Sequence, residues 1–152
     1  MTALEKMRRF VESYPSADSF RGYKVDYTDQ IPSNGGIFPS GLVEISRQAD
    51  ITGSVTVTNQ YNFGLYCVFA KPADDDVAAT INADWVMGFQ EWVQKQSITG
   101  QAPVFGDVPR LERIMAQNGV MYDADGEGTA IYNVQISVQF IKKFEVNNPW
   151  IL

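Results

Sequence analysis

Cys67 is the only cysteine in the chain, and histidine does not occur at all. A lone thiol makes no intrachain disulfide and no CxxC pair. A reactive thiolate needs a base or a cation beside it, and none is close to Cys67 in the sequence. Within the apolar run of residues 65–70 it reads as a small buried hydrophobe. Without histidine there is no Ser-His-Asp or Cys-His nucleophile, no HExxH metal site and no imidazole general base.

Carboxylates are the remaining candidates. Asp123, Asp125 and Glu127 precede Gly128 with the spacing that opens a calcium loop, including glycine at the sixth position. The twelfth position of such a loop carries a bidentate Glu, and here it is Val134, so the segment reads as a turn. Asp26/Asp29 and Asp74/Asp76 are pairs that nothing in the sequence sets across a cleft; solvated loop charge accounts for them. Gly35-Gly36 lacks the Lys-Ser/Thr of a phosphate-binding loop, and neither GxGxxG nor GxSxG occurs. The expectation is a chain that is not an enzyme and uses no cofactor or metal.

Charge and composition narrow the partners. A formal net charge of −6 and a pI near 4.5 disfavour docking on a phosphate backbone. Lys6/Arg8/Arg9 and Lys142/Lys143 are too few for a nucleic-acid stripe, so no specific nucleic-acid binding is expected. No apolar run approaches the roughly 20 residues that cross a bilayer. Residues 1–14 mix Glu5, Lys6, Arg8, Arg9 and Glu12 with apolar positions, unlike a signal peptide. The reading is a cytoplasmic protein without a membrane partner. At 152 residues and 45% hydrophobic, residues 1–152 fit one domain with a real core.

Stepping along the chain, Thr2 and Glu5 have capping-box spacing, in which each side chain satisfies the other's backbone amide. Leu4, Met7, Phe10, Val11 and Tyr14 then recur at helical steps until Pro15. Tyr23, Val25 and Tyr27 alternate as a strand. Residues 28–41, with Pro32, Gly35, Gly36, Pro39 and Gly41, read as a long irregular loop. Its Ile37 and Phe38 either tuck back onto the core or contact a partner. Leu42, Val43 and Ile45 begin a short strand. Residues 54–71 are strongly β-prone, with a turn or bulge at Asn59-Gln60 and apolar residues on both faces from Tyr61 to Phe69, as in a central strand. The Asp74-Asp75-Asp76 triplet suits a helix N-terminus. The helix it opens carries Val77, Ile81, Trp85, Phe89, Trp92 and Val93 on a core stripe, with Val86 filling it, and ends near Gln96. After a Pro-containing loop and an irregular start near Leu111, a strand at Val120–Tyr122 leads through the turn at 123–128. The alternation of Tyr132, Val134, Ile136, Val138 and Phe140 with Asn133, Gln135, Ser137 and Gln139 predicts a long half-buried strand completing a hairpin. The fold class is α+β: an antiparallel-dominated sheet with the N-terminal helix and one long helix packed on one face.

Five segments together resemble a known family. They are the N-terminal helix, GGIFPSGL at 35–42, DITGSVTVTNQYNFGLYCVF at 50–69, NADWVMGFQEWVQKQS at 82–97 and YDADGEGTAIYNVQISVQF at 122–140. Their order and strings resemble the small tail-completion, or tail terminator, proteins of prophages and phage-like particles of Gram-positive bacteria. Some relatives are labelled chloramphenicol resistance proteins, but a chloramphenicol acetyltransferase uses a catalytic histidine, which this chain lacks. The resemblance implies a virion structural protein that closes the tail tube as a ring of copies of itself, typically six. Its partners would be the tail tube protein, and also sheath and head-connector proteins. It would sit in the particle's tail, and in the host cytoplasm during assembly. A head-closure or connector subunit is the alternative, with a small-molecule binding module or atypical enzyme behind it. The residues assigned to the ring or tube contact are Asn34, Ile37, Phe38 and Ser40 in the loop, Arg8 and Arg9 on the first helix, and Gln135, Ser137 and Gln139 on the outward row of the last strand.

Overall fold

The computed structural model describes residues 1–15, 23–25, 35–70, 76–124 and 128–147. The elements run α1 (Ala3–Glu12), β1 (Tyr23–Val25), β2 (Gly35–Ala49), β3 (Ser54–Ala70), α2 (Asp76–Ile98), β4 (Arg113–Ala124) and β5 (Thr129–Glu145). The sheet order is β1-β2-β3-β5-β4. All pairings are antiparallel except that of the short β1, which runs parallel to β2. The α+β class and the single-faced helix packing are as the pattern predicts.

Strand alternation sorts the sheet into two faces. On β3, Phe63 and Leu65 point one way; opposite them on β5 stand Ile136 and Val134. These four are at most 2% exposed. Both helices lie on that face, giving a core of Met7, Phe10 and Val11 from α1, Val86, Phe89 and Val93 from α2, and the inward strand residues. Burying each such side chain stabilises the fold by about 1.5–3 kcal/mol. Aromatic rings join the helices: Phe10 stacks on Trp92 at 4.8 Å and Tyr14 meets Phe89 edge-on at 5.4 Å. α2 is also tied to β4, where the Ser97 hydroxyl accepts from Ile114 N at 3.0 Å and Gln90 Nε2 donates to Ala116 O at 3.2 Å.

Several expectations change. Residues 35–41 are strand, not loop, and the short strand expected at Leu42 is the continuation of the 15-residue β2. Gly35 and Gly36 pair with β1 on one side and β3 on the other, while Pro39 and Gly41 lie past Val25, where β2 has no second neighbour among the described residues; a proline on an edge need not break a ladder. β2 also carries one residue more than β3 between Pro39 and Leu42, and again between Glu44 and Ser46. Gly41, at φ +85°, supplies the left-handed backbone that the first bulge uses. Asn59-Gln60 is neither turn nor bulge, since β3 pairs with β5 without interruption from Ser54 to Ala70. The irregularity is on the facing strand.

Val77 and Ile81 are 71% and 63% exposed, so they leave the predicted core stripe, and Asn82 is buried in their place. Four-residue steps drift about 40° around a helix of 3.6 residues per turn. Val77 therefore stands well round from Phe89, while 82, 86, 89 and 93 stay in line. Asn82 is satisfied there, its Nδ2 donating to Ala70 O at 3.1 Å. Half the capping box forms: Glu5 N donates to Thr2 Oγ1 at 3.2 Å. The Glu5 carboxylate instead pairs with Arg8 at 2.8 Å and Arg9 at 3.6 Å. Asn34, Tyr27, the carboxylates at 26, 29, 74 and 75, and residues 125–127 of the turn lie outside the described residues.

Candidate interaction surfaces

No helix covers the second face of the sheet among the described residues. In register across it stand Gln60 with Gln139, Asn62 with Ser137, and Gln135 with Gln117. Gln139 Nε2 donates to Gln60 Oε1 at 2.9 Å, and Gln60 Nε2 to Asn62 Oδ1 at 2.7 Å. The amides thus form a short chain across two strands. At one end Asn133 Nδ2 donates to the Tyr66 hydroxyl at 3.4 Å, and Phe38 packs edge-on to the Tyr66 ring at 5.0 Å. Gly64 lies opposite Phe38, beside the Tyr66 ring. Gln60, Asn62, Gln117, Asn133, Gln135 and Ser137 surround a shallow depression of about 430 Å³ with no ionisable group in its lining. Such a surface holds hydrogen-bond donors and acceptors and no acid, base or activated nucleophile.

The second surface is the far end of the same strands. Past Tyr61 on β3 and Phe140 on β5 the sheet runs on as a three-stranded arm. Its outer β5 edge is closed by a loop: Asp107 N donates to Ile141 O at 2.7 Å, and Lys143 N donates to Asp107 Oδ2 at 2.8 Å. Gly106 makes this approach possible, because a Cβ there would stand 2.4 Å from Ile141 O. The β2 edge has no such cover among the described residues. Leu42, Val43, Ile45, Phe144 and Val146 are 45–54% exposed, and Ile51 at the tip is fully exposed. On the helix-side face of the arm, Leu42, Val55, Val57, Phe144 and Val146 line an apolar trough of about 500 Å³, with Glu44 and Arg47 among its lining residues.

The residues predicted from sequence divide between places. Gln135, Ser137 and Gln139 come together on the amide face, with Phe38 at its end. Ser40 is exposed in the first bulge of β2. Ile37 is fully buried against Leu65, so it takes the core alternative. Arg8 and Arg9 sit on α1 and are engaged by Glu5, Arg8 in a half-buried pair and Arg9 in an exposed one worth little in stability. Gln60, Asn62 and Gln117 were missed, although alternation with Tyr61 and Phe63 places the first two on the amide face. The arm was missed because its residues look like ordinary strand core. No helix among the described residues is long and apolar enough to cross a membrane. No protein-family model and no curated protein sequence matches the chain.

Proposed function

We propose that this chain is a structural subunit of a closed homo-oligomeric ring that caps a phage-type tail tube and offers a surface for head joining. The observation that carries the reading is the one-sided sheet. Among the described residues, helices occupy one face, while the amide stretch of the other face and the arm present hydrogen-bonding and apolar surface; only the end of that face at Val68 and Ile131 is buried. A ring needs two unlike surfaces on each subunit, because one heterologous contact repeats until it closes. The five segments that resemble tail terminators supply the identity of the assembly. Further contacts with sheath or head-connector proteins follow from the same resemblance.

The test is binding to tube ends. Purified chain is mixed with tail tubes lacking their terminal ring and viewed by electron microscopy, with mass measurement of the free chain alongside. The expected result is a ring at one end of each tube, with Gln135→Arg and Ser137→Arg reducing occupancy while the chain stays folded. A chain that neither binds tube ends nor forms rings would refute the proposal. Incubation with acetyl-CoA and chloramphenicol should yield no acetylated product.

A further inference from the structure

α2 shapes a bulge in β4. Between Gln117 and Val120 the strand carries one residue more than β5 beside it. Gln90 of α2 holds the strand just before this point, at Ala116 O. Gly119 then lies so close to the helix that a Cβ there would run into Gln90 and Val86. With Gly119 against α2, Asn118 takes the left-handed backbone at φ +56°, alone among the described residues other than glycine. A bulge re-aims a side chain, and Asn118 stands exposed in the lining of the amide depression.

We infer that Asn118, with Gln117 and Gln135 of the same lining, seats an uncharged main-chain segment of the tail tube's end, amide against amide. This rests on the ring reading and names the chemistry of its tube contact. The carboxamides of Gln60, Asn62 and Asn133 are already hydrogen-bonded within the chain. Those of Gln117, Asn118 and Gln135 make no hydrogen bond among the described residues, and all three residues are exposed. Each offers donors and an acceptor in one plane, the complement of a peptide group's C=O and N–H. The lining holds no ionisable group, so a charged group entering it would lose water without gaining a counter-charge. Nor does it hold an aromatic ring on which a sugar would stack.

The tube end, rather than a second copy, suits this site because of its polarity. Contacts between copies that stay together are the more apolar ones, and contacts with a partner met later are the more polar. The arm, with Ile51 fully exposed at its tip, is of the first kind. The depression, lined mostly by carboxamides, is of the second. Carboxamides are well solvated and leave the site open in the free chain until a tube end arrives. Val120, 58% exposed, gives the incoming segment one apolar footing.

Tubes lacking their terminal ring test this with the full chain. Asn118→Gly keeps the left-handed backbone, which glycine adopts freely, and removes only the carboxamide. It should melt at the parent's temperature or slightly above. It should bind tube ends about tenfold more weakly, as when a hydrogen-bond partner is left unpaired. Asn118→Asp, of the same shape but charged, should bind more weakly still, and Gln135→Ala should also lose affinity. Parent binding should change by less than about twofold between low and high salt, since no charges meet. Asn118→Gly capping tubes as the parent does would mean that Asn118 serves the bulge alone, and the assignment would fall. It would fall equally if binding dropped steeply with salt, or if Asn118→Gly weakened only the association of the free chain with itself, which would make a second copy the occupant. These three results leave the ring reading standing. A parent chain that leaves tube ends bare refutes that reading and the assignment with it.

Discussion

Phe140 and Phe144 lie four residues apart on the same face of β5, yet the first is 3% exposed and the second 50%. Phe140 stacks on Tyr61 at 5.1 Å and meets Phe105, from the loop between α2 and β4, at 6.3 Å. Phe144 stands opposite Val55, where the trough opens. The same division runs across β3, with Phe63 and Leu65 under the helices and Val55 beyond them. Alternation is a local property that every part of a strand can carry. Coverage depends on where a helix or loop ends, and the strands here outrun their cover. Apolar residues that no described residue covers are what the proposed assembly contact would use.

The sharpest break between the two halves should come from charge. Ile136 is 1% exposed under the helices. Ile136→Asp leaves an unpaired carboxylate in the core, which costs several kcal/mol against a domain margin of about 5–15 kcal/mol. The variant should be unfolded by circular dichroism at room temperature. Ser137→Asp, one residue on and facing the amide surface, should fold and melt cooperatively. Equal melting of the two would mean that the sheet does not have the faces described.

A smaller difference is expected between the two phenylalanines. Phe140→Ala should lower stability by about 3 kcal/mol or somewhat more, since it removes a buried ring and leaves a cavity. Phe144→Ala should cost less than about 1 kcal/mol in the monomer, as a surface change, and act on association instead. Denaturant midpoints at low concentration measure the first effect and sedimentation measures the second. If Phe144→Ala destabilised the monomer as much as Phe140→Ala, the arm would be part of the core and the comparison would collapse. Gly106→Ala probes the border between the halves. Its Cβ would meet the backbone at Ile141, so a shift of the loop costing about 1–3 kcal/mol is expected. Faster amide exchange at Lys143, whose N–H donates to Asp107, should accompany it.

The covered half was the legible half. Val134, Ile136 and Val138 announce their strand by strict alternation, and Met7, Phe10 and Val11 announce α1 by helical spacing, because both patterns meet a real core. Residues 35–41 were hidden because glycine and proline signal a loop in a local reading. Here Gly35 and Gly36 are held between β1 and β3, and past Ile37 the strand has no second neighbour among the described residues and absorbs its irregularity in bulges. Val77 and Ile81 leave the core stripe because successive four-residue steps drift around the helix. On the surface, the outward row of β5 pointed to Gln135, Ser137 and Gln139, but their neighbours Gln60, Asn62 and Gln117 depend on strand register. The bare arm depends on where α2 and the loop after it stop. Neither register nor coverage is written in any single segment.

The smallest expected effect lies at the tip of the arm, where the uncovered half has one ordering device of its own. Asp50 Oδ1 accepts from the Thr52 hydroxyl at 2.6 Å, from Thr52 N at 2.9 Å and from Ser54 N at 3.0 Å. The Thr52 hydroxyl bond is the main reason that the Asp50 carboxyl is held below its ordinary value of 3.8; desolvation opposes it, and the Ser54, Thr52 and Gly53 amides add to the lowering. Because the folded value is the lower one, the ordering it gives is fully present above about pH 4 and is lost as pH falls through the folded value. The group is wholly exposed, so global melting should not follow it. The amide resonances of Thr52 and Ser54 should instead titrate together with a midpoint below 3.8, and Asp50→Asn should abolish that titration while leaving the Phe63 and Ile136 amides unmoved. A midpoint at or above 3.8 would mean that the tip is not held by Asp50. Core amides titrating in step with the tip would be the more damaging result, because it would couple the exposed arm to the covered half and remove the independence on which the comparison rests.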